Sequence, residues 1–180
     1  MSTEFDVAAK FEKVVQKLVP AFKTLGEGFE NVLEKMTVAG EHLILEWKSS
    51  MYSDDLEYIL VVTMNRTMGI RCGYVAIPPE HPVRRKNEAG ELGGIIEVHG
   101  GVSFYGNHAT LDKLLGNYSE PHFWIGFDAG HYRDGHDLDQ IDSEELREIY
   151  RLMDKGLSVR SLDFMIQETE YLASQLAEMR

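Results

Sequence analysis

Aspartate and histidine crowd one stretch of this 180-residue chain, WIGFDAGHYRDGHDLDQ, running from Trp124 to Gln140. Carboxylates and imidazoles hold divalent cations, move protons near neutral pH and hydrogen-bond small polar ligands. Some of these acids have simpler duties. Asp142-Ser143-Glu144-Glu145 fits a capping box with Asp142 at the N-cap and Glu145 at N3, and Ile141 and Leu146 fit a hydrophobic staple. Asp139 then solvates the approach to that helix. A calcium loop begun at Asp137 would put Ile141 where an oxygen ligand is needed and Asp142 where glycine is needed, so an EF-hand is excluded. Asp128, His131, Asp134, His136 and Asp137 remain. His131 and His136 are five apart, not the four of a helical zinc pair. The set narrows to Asp128 and His131, because a strand ending in Asp-Ala-Gly-His presents both side chains at a sheet edge. The competing reading of Asp128 is a turn cap bonded to its own backbone.

Two further blocks are candidates to join this pair. In VHGGVSFYG, His99 precedes Gly100 and Gly101, which either bring backbone close to a ligand or form a bulge. Ser103 and Tyr105 share a strand face suited to a base, a sugar or another polar molecule; a solvated outer face is the plainer alternative. PPEHPVRRK is the one cationic cluster in an acidic chain. Its Arg84 and Arg85 are expected to hold phosphate or carboxylate, with His81 set between stiffening prolines. Scattered surface charge is the alternative. Cys72, the only cysteine, lies mid-strand and reads as buried packing. Its solitude excludes an internal disulfide and a multi-cysteine zinc site. GxSxG, P-loop, GxGxxG and HExxH are absent, and His108-Ala109-Thr110 is a single HxT, not a doubled one.

The blocks CGYVAIPPEHP, IIEVHGGVSFYG and FWIGFDAGH, in that order, resemble a family of small uncharacterised proteins scattered through bacteriophage and bacterial genomes. The shared pattern is CGYV-x-x-P-x-x-HP, then VHGG-[ST]-[FY], then W-[IF]-GFD-x-x-H, and it covers about a third of the chain, from Arg71 to His131. Many members carry cysteine where this chain has Ala129. No established activity comes with the resemblance. It implies a mobile-element accessory protein in which the three blocks converge in space.

The elements that must position these residues follow from periodicity. Phe5, Phe11, Val14, Val15 and Leu18 recur at helical spacing up to Pro20, and Phe29, Val32, Leu33 and Met36 predict a second helix. HLILEW alternates as a strand. LEYILVVTM is a strand buried on both faces, turned at Asn65-Arg66-Thr67 into its antiparallel partner GIRCGYVAI. Residues 94–100 and 102–106 predict two short strands, and HFWIGFD the last one. Leu146, Ile149, Tyr150 and Met153, then Leu162, Met165, Ile166, Leu172, Leu176 and Met179, predict two C-terminal helices, with Gly156 as a C-cap between them. The expectation is a single α+β domain over 1–180: helices at about 5–36, an antiparallel sheet of five or six strands at about 41–128, and helices at about 143–179.

A net charge of −12 repels a nucleic-acid backbone, so long DNA or RNA is not an expected partner. No apolar run reaches membrane-span length, and MSTEFDVAAKFEKVV lacks a signal-peptide core, so a cytoplasmic location is expected. The three blocks supply His81, Arg84 and Arg85, then His99, Gly100, Gly101 and Tyr105, then Trp124, Asp128 and His131. The first expectation is a binding protein, without a cofactor, for a small anionic or nucleotide-like molecule, with a host signalling nucleotide, sequestered in a phage setting, as one candidate. Arg84 and Arg85 would neutralise phosphate, Tyr105 or Trp124 would stack a base, and Asp128 and His131 would bond ribose or base. The alternative is a metal-dependent hydrolase or phosphodiesterase that uses His99, Asp128 and His131 with a divalent cation. A third reading is an acidic protein-binding inhibitor, and a homodimer through the C-terminal helix is also anticipated.

Overall fold

The computed structural model describes residues 41–49, 58–85, 92, 94–115 and 122–179. The helices expected at about 5–36 lie outside them. Four predicted strands form: β1 Glu41–Ser49, β2 Tyr58–Asn65, β3 Ile70–Ile77 and, later in the chain, β5 Phe123–Asp128. With β4 Phe104–Asn107 they make one antiparallel sheet in the order β1-β2-β3-β5-β4. The β2–β3 turn follows from Asn65, whose side-chain oxygen accepts from the amides of Thr67 and Met68.

Every residue of β2 is buried, Thr63 and Asn65 included, in keeping with its mostly apolar run. One face carries Leu60, Val62, Val75, Ile125 and Phe127, and the other Val61, Cys72, Tyr74 and Trp124. Helix α3, Leu162–Glu178, covers the first face with Met165, Leu172, Ala173 and Leu176, all at 0% exposure. Each buried leucine there stabilises by about 2 kcal/mol. Glycine at position 73 admits the Thr169 side chain, which bonds back to the Met165 carbonyl at 2.6 Å and so sits flat against the sheet. Helix α1, Ala109–Leu114, contributes Leu111 to the opposite face. Its N-cap is His108, whose Nδ1 accepts from the Leu111 amide at 3.2 Å. No helix among the described residues is long and apolar enough to cross a membrane.

Two local expectations are corrected. Residues 94–103 are not strands. Gly100 and Gly101 take φ of 69° and 89°, closing a turn in which the Gly101 amide bonds the Val98 carbonyl at 2.9 Å. Backbone groups that a neighbouring strand would satisfy go instead to side chains of α3. Gln175 accepts from the Glu97 amide and donates to its carbonyl, while Glu168 accepts from the His99 amide. Helix α2, Glu144–Met153, is capped by Ser143 rather than Asp142. The Ser143 hydroxyl accepts from the Leu146 amide at 3.3 Å, and Asp142 is drawn off to Arg66 at 2.6 Å. Beyond the main sheet, β6 Asp134–Gly135 and β7 Ser158–Val159 form a short parallel pair that brackets α2.

Candidate functional site

β5 ends at Asp128. The Asp128 side chain accepts from the Gly130 amide at 2.9 Å, so the turn-cap reading of this residue holds, and its carboxylate remains 26% exposed. The chain then folds into a tight turn, in which the Asp134 amide donates to the His131 carbonyl at 2.9 Å. The Gly100 Cα lies directly against the His131 ring, because a Cβ there would fall inside the imidazole. This contact joins the VHGG block to the FDAGH block.

Asp134 is the centre of the arrangement. Its side chain is 1% exposed and collects three donors. His99 Nε2 lies 2.6 Å from Oδ2, Arg160 Nε donates to Oδ1 at 2.6 Å, and the His131 amide reaches Oδ2 at 3.2 Å. Burial alone would push the carboxyl up; the hydrogen bonds from His99 and Arg160 outweigh it and hold the group below the usual carboxylate range. An ionised Asp134 accepts only, so His99 must carry its proton on Nε2. The His99 ring is wedged edge-to-face between His131, at 5.5 Å, and Phe164, at 5.3 Å. Phe164 is set by the cap of α3, where the Ser161 hydroxyl accepts from its amide at 3.1 Å. Arg160 stacks over the same ring at 5.0 Å. Arg71 closes the base, bonding the Arg160 carbonyl and Asp137 at 2.8 Å each.

His131 is left unfinished. Its Nδ1 is buried and has no hydrogen-bond partner. It stands 3.8 Å from Asp128 Oδ1 and 3.9 Å from Asp134 Oδ2, both beyond bonding distance. His99, His131 and Asp134 each offer a donor atom within 4.8 Å of the others. Two imidazoles and a carboxylate, with Asp128 adjacent, are a donor set suited to zinc, manganese or iron. Donors around a tetrahedral zinc sit about 3.3 Å apart, so small rotations of these side chains would close the shell. Asp134 is paired with Arg160, while Asp128 stands beside the His131 ring and Glu168 accepts from the His99 amide, so carboxylates border both imidazoles. That field attracts a cation.

The structure brings together His99, Gly100, Asp128 and His131 of the residues singled out in the sequence, with Gly101 completing the turn. It does not bring the others to them. His81 is buried, bonded through Nε2 to the Leu176 carbonyl and through Nδ1 to the Val83 amide. Arg84 lies over the Phe123 ring at 5.2 Å, and Tyr105 packs on the same ring and donates to the Val83 carbonyl. Trp124 is fully buried and donates to Asp112, so it offers no face for stacking. The Arg85 side chain lies outside the described residues. Phe123 and Asp128 are opposite ends of β5, about 17 Å apart, which separates Arg84 from the histidine cluster. His136 is engaged elsewhere, paired with Asp154 at 2.9 Å and stacked on Tyr150 at 3.8 Å. Sequence reasoning set Asp134 aside and missed Arg160, Phe164 and Glu168. No spacing rule connects residue 99 to 134, 160 and 168. No family model matches the chain, and no curated protein or solved structure matches it.

Proposed function

We propose that His99, His131 and Asp134, with Asp128 alongside, bind a divalent cation, and that the protein is a metal-dependent hydrolase acting on a phosphoester. The observation that carries this reading is the buried, unpartnered Nδ1 of His131 held between two carboxylate oxygens. A buried nitrogen without a partner costs about 1–3 kcal/mol, and a bound cation removes that cost. Arg160 would hold the Asp134 carboxylate in orientation from behind, as outer partners of metal ligands do. For His99 Nε2 to serve as a ligand, its hydrogen bond to Asp134 would have to open and its proton move to Nδ1. The cation would supply an ionised water at neutral pH and neutralise charge on a phosphoryl oxygen.

A second reading, capture of a small ligand without turnover, is favoured by the closed His99–Asp134 contact at 2.6 Å, which can stand without an ion. One experiment separates the two. Protein with and without zinc or manganese is titrated by calorimetry, then incubated with linear and cyclic nucleotides, with and without chelator, and the products are weighed by mass spectrometry. Micromolar metal binding, its loss in His131→Ala and chelator-sensitive conversion are expected. Intact nucleotide recovered from denatured protein, with no metal binding, would replace the hydrolase by the capture reading.

A further inference from the structure

We propose that Tyr132 and Arg133 form the recognition tip of this centre, selecting a ligand that joins a flat aromatic group to a phosphate, as a nucleotide does. The proposal rests on the cation-site reading of His131 and Asp134 and names the substrate class of that site. The four residues His131 to Asp134 are one turn, closed by the Asp134 amide on the His131 carbonyl. Arg133 occupies the third position with φ of 86°, the single non-glycine with positive φ among the described residues. Turns of this form ordinarily place glycine or asparagine there, because a larger side chain crowds the backbone. The turn cannot relax, since its ends are pinned through the Asp134 carboxylate by His99, Arg160 and the His131 amide. Arginine therefore stands in a conformation it disfavours, and strain of that kind is found where a side chain is needed for something other than folding.

Tyr132 supplies the second observation. It is 92% exposed, so its ring adds almost nothing to the core. The guanidinium of Arg133 lies 5.7 Å from the ring centroid. The guanidinium stands over one face of the ring and the residue is otherwise open to solvent, so the tip offers an aromatic surface joined to a cation, as a base with an attached phosphate requires. Both residues belong to a turn whose end Cα atoms lie within about 7 Å of each other, so they stand within one side-chain length of His131 and Asp134. Arg133 also answers an electrostatic need. The carboxylates nearest the histidines repel a phosphate, and a cation on the open tip draws the anion in. Arg84, at the far end of β5, cannot do so.

The test is calorimetric titration of the full chain, with manganese present, by adenosine 5′-monophosphate and by ribose 5-phosphate. The nucleotide should bind about tenfold more tightly. Tyr132→Ala should bring its affinity down to that of the sugar phosphate. Arg133→Asn should weaken both ligands about tenfold while leaving the melting temperature equal or higher, because asparagine tolerates the positive φ. Arg133→Lys should restore most of the affinity. Both tip variants should bind manganese like the parent protein. Equal affinity for the two ligands, binding of neither, or tip variants that bind the nucleotide normally would overturn the proposal. If the parent protein binds no manganese, the cation reading fails on its own, and the same comparison without metal still decides the tip.

Discussion

At the Phe123 end of β5, His122 and Trp124 converge on Asp112: the His122 amide at 3.2 Å, its Nδ1 at 3.0 Å and the indole at 3.1 Å all meet one carboxylate oxygen. Nearby, His108 caps α1 and lies edge-on to Tyr74 at 5.2 Å. Burial pushes the His108 pKa down to about 4, so this imidazole is neutral and serves packing and capping. At the Asp128 end the same residue types are arranged differently. Asp134 accepts from His99, Arg160 and the His131 amide, while the His131 ring nitrogen beside it is left without a bond. Asp112 has a leftover oxygen too. It is a spare acceptor on a carboxylate whose charge three donors already offset. At His131 the unmet group is a ring nitrogen facing two anionic oxygens. The lesson is that histidine and aspartate in proximity mean little until each nitrogen and oxygen is assigned a partner.

The contrast breaks most sharply at Asp134. Asp134→Ala removes the acceptor of the His99 N–H and of the partly exposed Arg160 guanidinium, which should cost about 2–3 kcal/mol in urea denaturation and remove metal binding in the same protein. A loss below about 1 kcal/mol would mean that the centre contributes nothing to the fold.

Acid titration separates the two ends by pH window. His108 has a lowered pKa in the folded protein, so the unfolded chain binds the extra proton between pH 6.5 and about 4. Stability is full above pH 6.5 and falls across that window by up to about 3 kcal/mol. Asp134 is also depressed, but as an acid. Its contribution is present above its unfolded pKa of 3.8 and is lost as pH falls through the lower folded value. His108→Asn, which keeps a capping side chain, should flatten the upper part of the acid curve, and Asp134→Asn the lower part. A single unchanged limb in both variants would contradict the assignment.

Arg84→Ala should have the smallest effect. A half-buried cation over an aromatic ring stabilises by about 1 kcal/mol, and this one is remote from the histidines. Its melting temperature should fall slightly and its metal affinity should match the parent. A tenfold change in metal affinity would tie together two regions that the fold holds apart.

The strands were legible because apolar patterning is a local signal: LEYILVVTM and GIRCGYVAI need no distant partner to be read. Residues 94–103 misled because Ile95, Ile96 and Val98 carry strand-like composition, yet the Ile95 and Ile96 amides turn back onto the Leu92 carbonyl, and the Glu97 and His99 amides are bonded by Gln175 and Glu168, about 70 to 80 residues downstream. The site was half legible for the same reason. His99, Asp128 and His131 announce themselves by type beside glycine. Asp134 looked like one acid among many, and Arg160 carries no local mark. What identifies both is a hydrogen bond across 26 residues.

The parallel pairing of β6 with β7 has a consequence for the length of the chain. Asp134 sits opposite Ser158 and Gly135 opposite Val159, so the two ends of the α2 excursion are fastened together at its root. The excursion is further stapled by His136 on Asp154 and by Asp137 on Arg71. Arg160 therefore meets Asp134 at a gap set by backbone pairing, not by how much chain lies between them. Residues inserted at the exposed Lys155–Gly156 bend would enlarge the excursion and leave that gap as it is. The span around α2 is thus a natural splice point, where an engineered tag can be added without the charged centre registering the change.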